Sequence, residues 1–188
     1  MAAYIKRKRN DEALQLTWIQ FEERPNLEHY KELHDVAERL GVWPTQRNRS
    51  LAMVAGVTAH DAAATSRWKP KASVPDYSLR VEIALWEKDL DVAWAMAHEG
   101  ICRHDLLIAL AGKPQPSGPS EAITLYRRVV PRIVKQTNNA AYAEAIKLIR
   151  RVMEMMNAQG KSGEFRDYLA ELHVQFKPKR NSSTCWTR

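Results

Sequence analysis

Three groupings in this sequence hold side chains of the kinds that do chemistry. His98, Cys102 and His104 lie close together, and imidazole with thiolate is a ligand pairing that zinc favours. Gly100 should break a helix between them, and no fourth ligand stands nearby, so they read as a helix-end histidine and a buried thiol. Gly160-Lys161-Ser162 resembles the end of a phosphate-binding loop. That loop needs a further glycine five positions before its second one and a preceding strand. Met155 stands there instead, on an expected helix, so the segment reads as a turn between helices. His60-Asp61 is an acid–imidazole neighbour pair, but adjacent positions on a helix point apart and no serine or cysteine nucleophile belongs with it. Glu22-Glu23 reads as a solvated acidic face. None of these supports a catalytic, metal or cofactor assignment, so a non-enzymatic protein with no cofactor is expected. The alternative is a catalytic site assembled from residues distant in sequence, to be recognised by a deep pocket with perturbed titratable groups.

Binding chemistry is better represented. The chain has 6 tryptophans. Trp18, Trp86 and Trp94 fall on apolar stripes and read as core. Trp43 and Trp68 fall at a helix boundary and in a linker, where an aromatic side chain either closes the core or docks a partner protein. The net charge is +7. It resides at the ends: Lys6, Arg7, Lys8 and Arg9 on one side, Lys177, Lys179, Arg180 and Arg188 on the other, leaving residues 11–176 nearly neutral. Arg127, Arg128, Arg132 and Lys135 share one helical segment, and Arg150 and Arg151 follow in the next. Such a ridge either contacts phosphate irrespective of nucleic-acid sequence or is an ordinary solvated face.

The elements that would position these residues are helical throughout. Leu14, Trp18 and Phe21 recur at helical spacing until Arg24-Pro25 interrupts them. Asn26 then caps a helix carrying Leu27, Tyr30, Leu33, Ala37 and Leu40, closed by Gly41. Residues 46–57 predict a further helix, and Trp68 to Pro75, with two prolines, predict a linker. Asp76 is a cap candidate for the stripe Leu79, Ile83, Trp86. Val92, Ala93, Met96 and Ala97 make the next, and His104–Ala111 a short third. Lys113–Pro119 predicts a loop. Ser120 is then expected to cap the helix of Leu125, Tyr126, Val129, Val130 and Ile133. Tyr142, Ala145, Ile146, Ile149, Val152, Met153 and Met156 make the longest stripe, and Phe165, Tyr168, Leu169, Leu172 and Phe176 the last.

The resulting fold class is all-α: antiparallel helical hairpins stacked as a short, irregular tetratricopeptide-like solenoid. The expected organisation is a basic segment at 1–10, a helical-repeat-like domain at 11–176 with an internal linker at 67–75 and a loop at 113–119, and a basic flexible tail at 177–188. With 2 cysteines there is no disulfide framework, which suits a reducing compartment. The first residues have no apolar stretch of the signal-peptide type, and no apolar run reaches the roughly 20 residues of a membrane helix. A cytoplasmic location without membrane association is expected.

From about Pro25 to Asn181 the chain resembles the C-terminal helical region of bacterial SWIM zinc finger proteins. The stretches that carry the resemblance are Leu85-Trp86-Glu87-Lys88-Asp89-Leu90-Asp91-Val92-Ala93-Trp94, Ala122-Ile123-Thr124-Leu125-Tyr126-Arg127-Arg128, Asn138-Asn139-Ala140-Ala141-Tyr142 and Phe165-Arg166-Asp167-Tyr168-Leu169. The resemblance implies a scaffold region attached, in the family, to a zinc-binding module. That module's motif is absent here, so no metal ligand carries over, and after Lys179-Arg180-Asn181 the sequence departs from the family pattern. The expected function is a helical scaffold for protein–protein interaction, accessory to a larger bacterial assembly, with Trp43 and Trp68 as partner-binding residues. The alternative is a nucleic-acid-binding accessory protein using Lys6, Arg7, Lys8, Arg9, Arg127, Arg128, Arg132, Lys179 and Arg180.

Overall fold

A computed structural model describes residues 2–64, 73–113 and 119–176, with side chains from residue 9 onward. Among these residues the only regular secondary structure is helical: α1 (Ala2–Glu23), α2 (Leu27–Arg39), α3 (Trp43–Ala63), α4 (Ser78–Glu87), α5 (Leu90–Glu99), α6 (His104–Ala111), α7 (Pro119–Val134), α8 (Asn139–Ala158) and α9 (Ser162–Phe176). The chain forms two compact units, Met1–Leu106 and Leu107–Arg188. The expected all-α class of helical hairpins is what the structure shows.

The basic segment set apart at 1–10 has no boundary of its own in the backbone, because α1 runs through it from Ala2 to Glu23. Alanine, lysine and arginine are good helix formers, and no proline or glycine intervenes before Pro25. α3 likewise extends beyond the expected 46–57 at both ends, to Trp43–Ala63. Pro44 lies in its first turn, where a missing N–H costs nothing.

Turn chemistry in the first unit follows the sequence closely. The Asn26 side chain accepts from the His29 amide and caps α2, and Gly41 takes the left-handed conformation, φ +68°, that ends it. A single turn between α2 and α3 makes them antiparallel. α3 and α4 are antiparallel too, since Arg47 meets Glu87 at one end and Val54 and Thr58 share a cleft with Ser78 and Leu79 at the other. Between α4 and α5, Lys88 adopts φ +62° and Asp89 caps α5 by accepting from the Val92 amide. Asp76 acts one residue further out than a simple cap, accepting from the Ser78 amide at 2.8 Å.

The core of this unit is Trp18, Phe21, Tyr30, Leu33, Val54 and Ile83, with Leu14, Trp43, Leu79 and Trp86 packed around it. Arg49 lies over the Trp18 ring at 3.9 Å and the indole N–H donates to Gln46 Oε1 at 2.6 Å, so α1 is held against the start of α3 by Trp18 as well as by apolar burial.

The segment after α5 returns to pair with the approach to α4. The Ile101 amide donates to the Pro75 carbonyl and the Tyr77 amide to the Ile101 carbonyl, both at 2.8 Å. Gly100 lies inside this crossing. A Cβ there would meet the Pro75 carbonyl oxygen and would come within 2.7 and 2.9 Å of two Tyr77 ring atoms. Gly100→Ala is therefore expected to destabilise the protein by about 2 kcal/mol, read as a lower urea midpoint at unchanged slope. A midpoint within experimental error of wild type would show that this crossing yields easily.

In the second unit, α7 pairs with α8 and α8 with α9. Asn138 caps α8 by accepting from the Ala141 amide at 2.8 Å. The expected cap Ser120 instead sits within the first turn of α7, which starts at Pro119. Leu125, Tyr126, Val129, Val130, Ile133, Tyr142, Ala145, Ile149, Val152, Met156, Phe165, Tyr168, Leu172 and Phe176 are buried as their stripes predict. Ile146 and Leu169 are only half-buried, and Met153 is exposed at the edge of its stripe, where Val152 and Met156 take the packed seam.

Candidate functional site

Trp43 opens α3 and, with Trp86 near the end of α4, flanks a concavity of about 400 Å³. His34, Arg47, Glu87 and Asp89 complete its lining. The position of each follows from its element. Tyr30 and His34 are one helical turn apart on α2, so both rings face the same neighbours. The His34 ring stands edge-on to Trp43 at 4.7 Å and to Trp86 at 5.0 Å. Tyr30 stands edge-on to the same two indoles at 5.4 and 5.9 Å. Four rings therefore alternate, each perpendicular to its neighbours, an arrangement that the ring quadrupoles favour.

Beneath the rings lies a polar network. Arg47 donates from Nε to Glu87 Oε1 at 2.7 Å and from a terminal nitrogen to Oε2 at 2.6 Å, the two-pronged geometry in which arginine holds a carboxylate best. The Tyr30 hydroxyl donates to Glu87 Oε1 at 2.7 Å. Burial pushes the Glu87 carboxyl up, but the hydrogen bonds from Arg47 and Tyr30 and the Arg47 charge outweigh it and hold the carboxyl below its usual range. Burial, then the bond to Glu87, pushes the Tyr30 phenol far up, so it stays protonated. Arg47, Glu87 and Tyr30 are committed to one another, while Asp89 accepts from the Val92 amide and His34 lies 3.0 Å from Asp35. Half-buried aromatic walls thus stand over a braced polar network.

Of the other residues singled out by sequence, Trp68, Lys179 and Arg180 lie outside the described residues, as do the side chains of Lys6, Arg7 and Lys8. Arg9 is exposed on α1. Arg127 is engaged within the protein: it lies 4.6 Å over the Tyr168 ring and 3.5 Å from Glu171. Arg128 and Arg132 also interact with other groups. Of the expected basic ridge, Arg127 thus reaches across to α9, while Arg127 and Arg132 are exposed and Arg128 is half-buried. His98 stacks on Trp94 at 6.1 Å, Cys102 is buried, and His104 is exposed at the start of α6. Among the described residues no group of three or more histidines, cysteines or acids is placed to hold a metal ion.

The sequence placed Trp43 as a partner-binding candidate and Trp86 in the core, and it gave no site role to His34, Arg47, Glu87 or Asp89. Arg47 and Glu87 are 40 residues apart, a separation over which no spacing rule operates. His34 carried a signal: it follows Tyr30 by one helical turn, beside the apolar stripe.

No family model matches this chain, and no curated protein or solved structure is significantly similar to it. Among the described residues no helix is long and apolar enough to cross a membrane.

Proposed function

We propose that this protein is a non-enzymatic helical scaffold that binds a partner protein through the concavity between Trp43 and Trp86. One observation carries the reading: two half-buried indoles flank a concavity braced by the paired Arg47 and Glu87. Indole rings held by packing lose little entropy on docking, and such residues dominate interface energetics. The resemblance to the C-terminal helical region of bacterial SWIM zinc finger proteins supports the same role, with the hairpins as an irregular tetratricopeptide-like series and the partner a component of a larger bacterial assembly.

Quantitative affinity capture with wild type, Trp43→Ala and an exposed control in the second unit, Arg150→Ala, tests the proposal. A partner retained by wild type and Arg150→Ala but reduced about tenfold or more by Trp43→Ala is the expected result. Partners retained equally by all three overturn it. The nucleic-acid reading is separated by titrating DNA and RNA at low and physiological salt. Binding that persists at physiological salt and falls when Arg9, Arg128 and Arg132 are neutralised would replace the scaffold reading.

A further inference from the structure

Trp43 and Trp86 differ from the core indole Trp18 in one respect. Trp18 gives its N–H to Gln46 Oε1. Among the described residues the Trp43 and Trp86 N–H groups have no acceptor, and neither nitrogen is among the buried atoms that lack a partner. Both donors therefore reach the surface. We infer that the concavity between these two residues receives a proline-rich segment of the partner in the polyproline II conformation, its rings against the indoles and its carbonyls accepting from the two indole N–H groups. The inference rests on the scaffold reading and names the chemistry of the partner at that same site.

The unpaired donors decide the backbone of the ligand. A docked helix keeps its carbonyls bonded within itself, so it would cover the two N–H groups without supplying acceptors, and a covered donor without a partner is costly. A docked strand needs a sheet edge to join, and among the described residues the only regular secondary structure is helical. An ordinary extended segment offers carbonyls, but each of its residues brings an N–H that needs an acceptor in turn. The acceptors beside the indoles are engaged: the Glu87 carboxylate receives two hydrogen bonds from Arg47 and one from Tyr30, and Asp89 Oδ1 receives the Val92 amide. Proline has no N–H, and polyproline II leaves its carbonyls unbonded within the chain. Such a segment supplies the acceptors that the indoles lack and needs none of those already engaged.

The walls decide the side chain. Tyr30 and His34 stand edge-on to both indoles, so α2 fixes the two rings while each stays half-buried. Aromatic-lined grooves of this kind suit proline, whose ring is apolar and has almost no side-chain entropy to lose on burial. Polyproline II is also formed before docking. With rings already held by packing, little ordering remains for binding to impose.

The test is a two-dimensional NMR titration of the indole N–H signals of the full chain, assigned with the corresponding Trp→Phe variants. The probe is acetyl-Gly-Pro-Pro-Pro-Pro-Pro-Pro-Pro-Pro-Gly-amide. Its control is acetyl-Gly-Ser-Gly-Ser-Gly-Ser-Gly-Ser-Gly-Gly-amide, which has the carbonyls but neither the rings nor the preformed conformation. The proline peptide is expected to move the Trp43 and Trp86 signals and to leave the Trp18 signal in place. The serine–glycine peptide should bind about tenfold more weakly or less. Trp43→Phe keeps an aromatic wall and removes one donor, and should weaken the proline peptide about fivefold. Arg150→Ala, in the second unit, should leave the affinity within about twofold. No movement of the Trp43 and Trp86 signals, equal binding of the two peptides, or unchanged affinity in Trp43→Phe would each overturn the assignment. If the proline peptide fails while Trp43→Ala still loses its partner in affinity capture, the proline assignment falls and the scaffold reading stands.

Discussion

Glu87→Ala is expected to lower stability by about 2–3 kcal/mol, because it strands two donors at once. The Glu87 side chain is only 12% exposed and accepts both prongs of Arg47 as well as the Tyr30 hydroxyl. An exposed ion pair contributes at most about 1 kcal/mol. A fully buried charge deprived of its partner costs about 3–5 kcal/mol. Arg47 keeps 33% of its side chain in solvent, so water recovers part of its loss and the cost falls to the lower end of that range or below it. The double change Arg47→Met with Glu87→Leu should cost less than Glu87→Ala alone, since it removes the buried charge together with its partner. Urea unfolding of the three proteins measures this. A Glu87→Ala midpoint equal to wild type would mean that the network adds nothing to stability.

The same residue gives stability a dependence on pH whose sign is fixed. In the fold the Glu87 carboxyl is held below its usual range, so the native state binds fewer protons there than the unfolded chain. Its contribution is fully present above the ordinary carboxyl pKa, about 4.3, and is lost as pH falls through the lower folded value. Glu87→Gln should therefore narrow its stability gap to wild type as the solution is acidified from neutrality to pH ~3. A gap that stays constant over that interval would place the native and unfolded pKa values together.

Local rules reached most of the fold. Asn26 before Leu27 and Gly41 after the last turn of α2 each act within four residues of the backbone they control, and each stands where the sequence indicates. The stripes ending at Ile133, Met156 and Phe176 are likewise readable, because a packed helix face repeats at 3.6 residues. What the sequence did not reveal was pairing at a distance. Arg47 belongs to Glu87, and Trp43 meets Trp86 only through the rings of Tyr30 and His34. Trp43 stood out by type and position at a helix boundary, but its pocket exists only once α2, α3 and α4 are packed. The limits of α1 and α3 were blurred for a different reason. Basic and alanine-rich stretches support helix without an apolar stripe, and periodicity alone does not detect them.

Tyr30→Ala is expected to be the most damaging of these substitutions, costing about 3–5 kcal/mol, because it removes a large buried ring. Tyr30 is 0% exposed and belongs to the core of the first unit. Its ring contacts Phe21 at 5.8 Å as well as the two indoles, so its loss opens a cavity touching α1, α3 and α4 together. Such a gap closes poorly, since each neighbour is fixed by a different helix. Tyr30→Phe separates the two roles of the residue. It keeps the ring and deletes only the donor to Glu87, for an expected cost of about 1–2 kcal/mol. Because burial and the bond to Glu87 raise the phenol's pKa in the fold, its contribution is fully present below the unfolded tyrosine pKa, about 10. It is lost only as pH rises through the higher folded value. Tyr30→Phe should thus resemble wild type more closely in strong alkali than at neutrality, whereas Tyr30→Ala remains unstable at both. Should the two variants prove equally destabilised at pH ~7, the hydroxyl bond to Glu87 would be the whole contribution of Tyr30 and the ring cluster would have no structural weight.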